Sequence, residues 1–422
     1  SNAALKYPSA MMGTIQKCDF KDKESKARPL PEKVLRRHAD MLDELLPEIT
    51  RLVTEEGRPA DGLLSQHLRT HKELGSRDRR FLAQAVFSYF RWYGWTVNTL
   101  RLPAAEACLI GNALESTTLS ESFKYLEKRC ALPVPLQPMG DKTLAEKAAL
   151  LPGLLQTDRT PELSDLVPPD FQSMIDPAKA MLGIEQFQQR PPAWIRARTD
   201  REALLETLAA QGIACTTHDG APQALAVPGG VSLAKALSPH TAQFVVQDIA
   251  SQCVGRICAP REGDDWWDCC AGAGGKSLQL MDLMQQNGRI LASDVRGSAL
   301  RELKKRARKY GIRNLRTQVH NAVRDEPFKK TFDGILVDAP CSGWGTWPRN
   351  PDARWRTSKR DVTQYAVRQV KILNNAGWCT RPGGKLIYAV CTLTRPETEE
   401  VVMHFLDQNP HFKLDPFVHP LT

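Results

Sequence analysis

The chain has 422 residues, 42% hydrophobic and 25% charged, which is the balance of a globular protein long enough for two or three separate cores. It has no run of 18 apolar residues, and its first residues lack the apolar centre of a secretory leader, so neither a membrane span nor a leader is expected. Lys and Arg number 57 against 48 Asp and Glu, a net charge of +9 that favours an anionic partner, nucleic acid first.

Eleven cysteines, an odd count scattered along a long chain, do not make a disulfide framework, and no Cys-X-X-Cys pair has zinc spacing. A reduced cytoplasmic or nuclear setting is expected, cytoplasmic first, with no metal site, and a monomer. Residues 1–30 mix Lys, Asp, Ser and Pro without periodicity and read as a flexible lead-in, with Ser1-Asn2-Ala3 as an expression-tag remnant.

Residues 31–180 read as a helical domain. Val34, Met41, Leu42, Leu45, Leu46 and Ile49 recur at helical spacing, and Gly57 ends the run. A second helix is expected over 60–74, a third after Ser76 as N-cap, and another over 104–129, before a Pro-rich connector with short helices. Residues 181–245 read as a small α/β module: strands in WIRAR, ACTTH and ALAVPGG, and a helix in DREALLETLAAQGI.

Residues 246–422 alternate strand and helix. Strands are expected at 266–270, 289–294, 315–319, 332–338 and 384–390, with helices between them that include 298–311 and 358–379. Such alternation predicts a parallel sheet covered on both faces, with ligands beyond the carboxyl ends of its strands.

The motifs fall at those ends. DCCAGAGGKS (268–277) follows the first strand and opens a helix, so small residues and free N–H groups face a ligand. Taken alone, Asp268, Cys270, Ala271, Gly272, Ala273, Gly274, Gly275 and Lys276 could cradle a dinucleotide, a phosphate or S-adenosylmethionine; the spacing excludes the phosphate loop GxxxxGK[ST]. Asp294 ends the second strand, where a carboxylate can accept ribose hydroxyls or cap the following helix, and Arg296 lies beside it. DAPCSG (338–343) and YAVC (388–391) bring Asp338, Cys341 and Cys391 to adjacent strand ends. One cysteine there reads as a small buried hydrophobe; two beside an aspartate point to thiol chemistry.

Together, DCCAGAGGKS, Asp294, DAPCSGWGTWPRNPDARW and YAVCTLTRPETEE resemble the RNA cytosine-5 methyltransferases of the Sun/Fmu (RsmB-like) family, over about 190–410. That resemblance implies a Rossmann-like α/β domain with a mostly parallel sheet of the seven-stranded type, shortened at its C-terminal end because the chain stops at Thr422. It implies S-adenosylmethionine around Asp268, Gly274, Lys276 and Asp294, Cys391 as nucleophile, Cys341 in product release and Asp338 on the target cytosine. Residues 73–92 are similar to the NusB-like helical domain fused to ribosomal members, which implies structured RNA, ribosomal first, as partner. Three positions depart from the family pattern: Ala273 for Pro, Val390 for Thr and Asn321 for an Asp near the adenine amino group, where the amide carbonyl still accepts. A transfer RNA enzyme and a non-catalytic RNA-binding assembly factor remain the alternatives.

In WGTWPRNPDARWR (344–356), Trp344, Trp347 and Trp355 interleave with Arg349, Arg354 and Arg356. Aromatic faces and guanidinium planes can hold unstacked bases, so Arg349, Arg354, Trp344 and Trp347 are expected on an RNA surface. The same residues could equally pack as a loop core. RELKKRARK (301–309) is a basic helix that suits phosphates or a solvated face.

Overall fold

The protein is described by a computed structural model covering residues 29–421. The lead-in expected over residues 1–30 lies outside the described residues except at its end. Helices occupy Glu32–Thr54, Ala60–Thr70, Ser76–Tyr93, Ala104–Glu115, Glu121–Cys130, Leu144–Leu155 and Pro177–Phe187. The apolar stripe read in the first helix, Leu42, Leu45, Leu46 and Ile49, packs into one core with Phe81, Leu82, Val86 and Phe90 of the third and Leu109, Ile110 and Leu114 of the fourth.

Three local expectations are corrected. Ser76 is the first helical residue rather than the cap; Gly75 precedes the helix, and its N–H is taken by the Asp78 carboxylate at 2.8 Å. An acid in the third helical position thus replaces the hydroxyl cap. The stretch 104–129 is two helices, broken at 116–120. The third helix runs on as a π-helical turn, Gly94–Thr99, that the apolar periodicity does not announce.

The small module is an antiparallel sheet of β1 (Ala193–Ala197), β2 (Thr216–Thr217), β3 (Ala224–Val227) and β4 (Phe244–Val246), in the order β2-β3-β1-β4, with one helix, Arg201–Ala209, capped by Asp200. Strand β4 has three residues, too short for the alternation to show, and was not foreseen. Two arginines of β1 and its end, Arg196 and Arg198, close on Asp282 of the next domain at 2.9 and 2.7 Å, and Gln247 donates to Gln279 at 2.8 Å. This buried polar junction ties the module to the parallel sheet.

That sheet comprises β5 (Asp265–Asp268), β6 (Arg289–Asp294), β7 (Leu315–Val319), β8 (Phe332–Asp338) and β9 (Thr380–Ala389), all parallel, in the order β7-β6-β5-β8-β9. Strand β9 starts earlier than the expected 384, with a register shift opposite Phe332 and Gly334. Helices Gly275–Leu283 and Gly297–Lys309 build one core on the sheet, and Lys359–Trp378 and Glu399–Gln408 another. The chain leaves β5 toward β6 on one side and reaches β8 on the other. The carboxyl ends of β5 and β8 therefore flank the crevice where the strand order reverses. No helix among the described residues is long and apolar enough to cross a membrane.

Candidate active site

The turn after β5 is held by its own backbone. Cys269 N–H donates to Leu336 O at 3.0 Å and Ala271 N–H to Ser293 O at 2.9 Å, so the turn is tied to β8 through Cys269 and to β6 through Ala271. Gly274 has φ +81°, and a Cβ there would stand 2.0 Å from Leu303 Cδ1. Only glycine lets the turn close against helix Gly297–Lys309. Arg306 of that helix donates to Ala273 O at 2.7 Å and pins the turn from outside.

Asp294, at the end of β6, accepts from Gly272 N at 2.8 Å, Arg296 N at 2.8 Å and Arg296 Nε at 3.1 Å. Burial works against its charge, but the Arg296 and Gly272 donors outweigh it and hold the carboxyl below its ordinary range. The cap reading is set aside, since its bonds go to the turn after β5 and to Arg296. Beside it, Val295 and Val319 are 59% and 62% exposed, and Val319 is the register partner of Asp294 on β7. This apolar shelf was missed in the sequence; its signal was valine following an acid at a parallel strand end. Asn321 turns its carbonyl onto Val323 N at 3.1 Å, and its own N–H donates to Asp325 at 2.6 Å. It shapes a turn beyond β7, and its second lone pair is left over.

On the other side of the turn, Asp268 is 1% exposed. One carboxyl oxygen accepts from Ser277 Oγ at 2.6 Å and the other has no partner. Burial raises this acid to about 7; the nearby Asp338 adds to the rise, and Ser277 and Lys276 oppose it. An orphaned acceptor at the floor of a turn built of small residues fits a ligand that carries an ammonium group beside a nucleoside.

Lys276 Nζ meets Asp338 Oδ2 at 2.6 Å, at the end of β8. Cys341 Sγ and Cys391 Sγ are 3.3 Å apart, Cys341 half-buried and Cys391 exposed. The thiol hydrogen bond from Cys341 draws the Cys391 thiol down; burial and Asp338 oppose this and Lys276 assists it. The same bond, with burial, pushes the Cys341 thiol up. With Cys341 as donor of that bond, the contact favours Cys391 over Cys341 as the thiolate. The structure brings together Asp268, the turn 270–276, Asp294, Arg296, Asp338, Cys341 and Cys391 around one crevice.

It does not do so for the expected RNA surface. Trp344, Trp347 and Arg354 are 1%, 0% and 1% exposed. The two tryptophans sit in the core of the helical domain, 4.8 Å apart between ring centres, with Phe171 and Phe187 against them. Arg354 donates to Leu166 O, Phe187 O and Arg91 O at 2.8, 3.1 and 3.3 Å. Phe187 ends its helix, where carbonyls without an intrahelical partner attract a cation. Burial and the neighbouring Arg91 bring its guanidinium down to about 9. Asp352 caps helix Ala60–Thr70 through Ala60 N at 3.0 Å. These residues weld two domains instead of facing RNA. Arg349 stays exposed, but its guanidinium pairs with Asp248 and Pro192 O.

A parallel sheet in this order, with a small-residue turn after its first strand and an acid ending the second, is the fold of a Rossmann-like methyltransferase. The crystal structure of PH0851 has a TM-score of 0.69 at 22% identity, covering 93% of each chain, so the likeness of fold extends over all three regions. NSun6 from Pyrococcus horikoshii, solved with SFG, has a TM-score of 0.52 at 18% identity over 57% of this chain and 87% of that one. Residues 256–420 match the family described as 16S rRNA methyltransferase RsmB/F, the kind of protein that the Sun/Fmu (RsmB-like) resemblance implied. The probable ribosomal RNA small subunit methyltransferase B of Bacillus subtilis (strain 168) is 32% identical over 220 residues, 52% of this chain and 49% of the relative. The ribosomal RNA small subunit methyltransferase B of Klebsiella pneumoniae (strain 342) is 31% identical over 238 residues, 55% and 54%. The matches thus span about half the length of these curated relatives.

Proposed function

We propose that the protein methylates carbon 5 of a cytidine in ribosomal RNA, using S-adenosylmethionine and a covalent bond between Cys391 and carbon 6. The observation that carries this is the pair of thiols at 3.3 Å beside the Lys276–Asp338 pair, at the end of a methyltransferase sheet. The names of the curated relatives support ribosomal RNA as the substrate. When bound, S-adenosylmethionine supplies the methyl group. Asp294 would take its ribose hydroxyls, Val295 and Val319 its adenine face, and the free oxygen of Asp268 its ammonium.

The remaining chemistry belongs to the side chains. Carbon 5 of cytosine is a weak nucleophile. The Cys391 thiolate adds to carbon 6 and moves an electron pair toward carbon 5 and ring nitrogen 3. Asp338, held by Lys276, places a proton or hydrogen bond at that nitrogen. After the methyl arrives, water in the crevice takes the carbon 5 proton, the carbon–sulfur bond breaks, Cys391 departs as thiolate and the proton at ring nitrogen 3 returns to Asp338, while the Cys341 thiol, 3.3 Å away, hydrogen-bonds the departing sulfur. The exposed Arg301, Lys304, Lys305, Arg308 and Lys309 offer a row for phosphates on the same domain.

The test is covalent trapping on denaturing gels, with total RNA and the methyl donor. Cys341→Ala is expected to accumulate an RNA adduct and Cys391→Ala to form none. Reversal of that pattern would exchange the two roles. Absence of both adduct and methyl transfer in wild type would leave an RNA-binding factor.

A further inference from the structure

Glu397 is a carboxylate with no solvent exposure, six residues after Cys391, at the end of the short turn Arg395–Glu397 beyond β9. No cation pairs with it among the described residues; hydroxyl and amide donors satisfy it instead. One oxygen accepts from Ser342 N at 2.8 Å and Gln369 Nε2 at 3.0 Å. The other accepts from Ser342 Oγ and from Thr394 Oγ1 at 2.8 Å, with Thr392 Oγ1 at 3.4 Å. Ser342 follows Cys341, and Thr392 follows Cys391.

The bonds bracket each cysteine. Gln369 Nε2 also holds Pro340 O at 3.0 Å, so the residue before Cys341 and the residue after it hang on one amide–carboxylate pair. Ser342 Oγ and Thr392 Oγ1 are 2.8 Å apart, which joins the two cysteine turns beneath the thiols. Gly345 N donates to Cys391 O at 3.0 Å and joins them again from the side; a Cβ on Gly345 would lie 3.1 Å from that oxygen. Drawing Thr392 and Thr394 inward leaves Cys391, Leu393 and Arg395 facing out.

We propose that Glu397 is a positioning residue that sets the relative placement of the Cys341 and Cys391 thiols. A buried carboxylate with these donors has one low-energy arrangement, and both turns must conform to it. This rests on the reading of the two thiols as the reacting pair, but its test does not need methyl transfer.

The experiment compares wild type with Glu397→Gln, Ser342→Ala and the exposed control Glu399→Gln. Two thiol readouts are followed. The first is closure of the Cys341–Cys391 disulfide by diamide, in which the thiols lose two protons and two electrons and the diazene becomes a hydrazine. The second is the pH profile of Cys391 alkylation by iodoacetamide. Closure is expected to slow roughly tenfold or more in Glu397→Gln and Ser342→Ala, with the alkylation profile moved to higher pH, while Glu399→Gln matches wild type. If Glu397→Gln does not fold, Ser342→Ala decides. Native closure and a native profile in folded variants would overturn the proposal. Altered thiol readouts with no methyl transfer by wild type would keep the positioning role and remove the proposed reaction.

Discussion

Residues 338–343 and 344–356 are one continuous stretch with two fates. In the first, Asp338 is one-third exposed, at 33%, and Cys341 reaches an exposed partner thiol. In the second, Trp344, Trp347 and Arg354 vanish into the helical domain. The chemistry that makes tryptophan and arginine good for bases also makes them good at a domain junction, because both offer flat apolar faces with donors at the edge. What decides is the supply of unpaired acceptors. Here the helical domain presents Arg91, Leu166 and Phe187 carbonyls, and Arg354 takes them.

The sharpest way to break this contrast is Trp347→Ala against Cys391→Ala in urea unfolding. The first should cost about 3–5 kcal/mol, as a large core truncation does, and the second less than about 0.5 kcal/mol. Equal losses would show that the two halves are not built differently. A smaller effect is expected at Asp268, buried beneath the turn after β5. The folded value of Asp268, about 7, lies above its ordinary 3.8, so its contribution to stability is complete below about pH 4 and is lost as pH rises through 7. Between pH 5 and 8, wild type should lose roughly 2–3 kcal/mol relative to Asp268→Asn. Parallel pH curves would mean that the orphaned oxygen already has a partner. The smallest effect belongs to Arg349, whose pair with Asp248 is 37% and 40% exposed. Arg349→Ala should cost under about 1 kcal/mol and less in salt. A larger loss would place the arginine with the buried half.

The parallel strands were the most legible part. Arg289–Asp294, Leu315–Val319 and Phe332–Asp338 fall at the expected residues; the first and last are mostly buried and read as apolar runs, while Leu315–Val319 is an exposed edge strand, legible from the strand–helix alternation around it. The thiols, Asp338 and Asp294 were legible because they end such strands. Strand β4 was not, being three residues long. Nor was the role of Glu397, which in sequence is one acid among several in RPETEE; only its burial separates it from Glu399 and Glu400. The tryptophan–arginine segment was misread because its partners, Phe171 and Phe187, lie more than 150 residues earlier, and spacing within a loop carries no trace of them.

The helical core closes with Trp344, Trp347, Ala353 and Val362, which are synthesised roughly 160 residues after Phe187. At about 5–20 residues per second, the helices wait on the order of 10–30 s on the ribosome with that wall missing. The helical domain, made before the parallel sheet, is therefore finished only after Val362 emerges, and its open face is what a nascent-chain chaperone would meet.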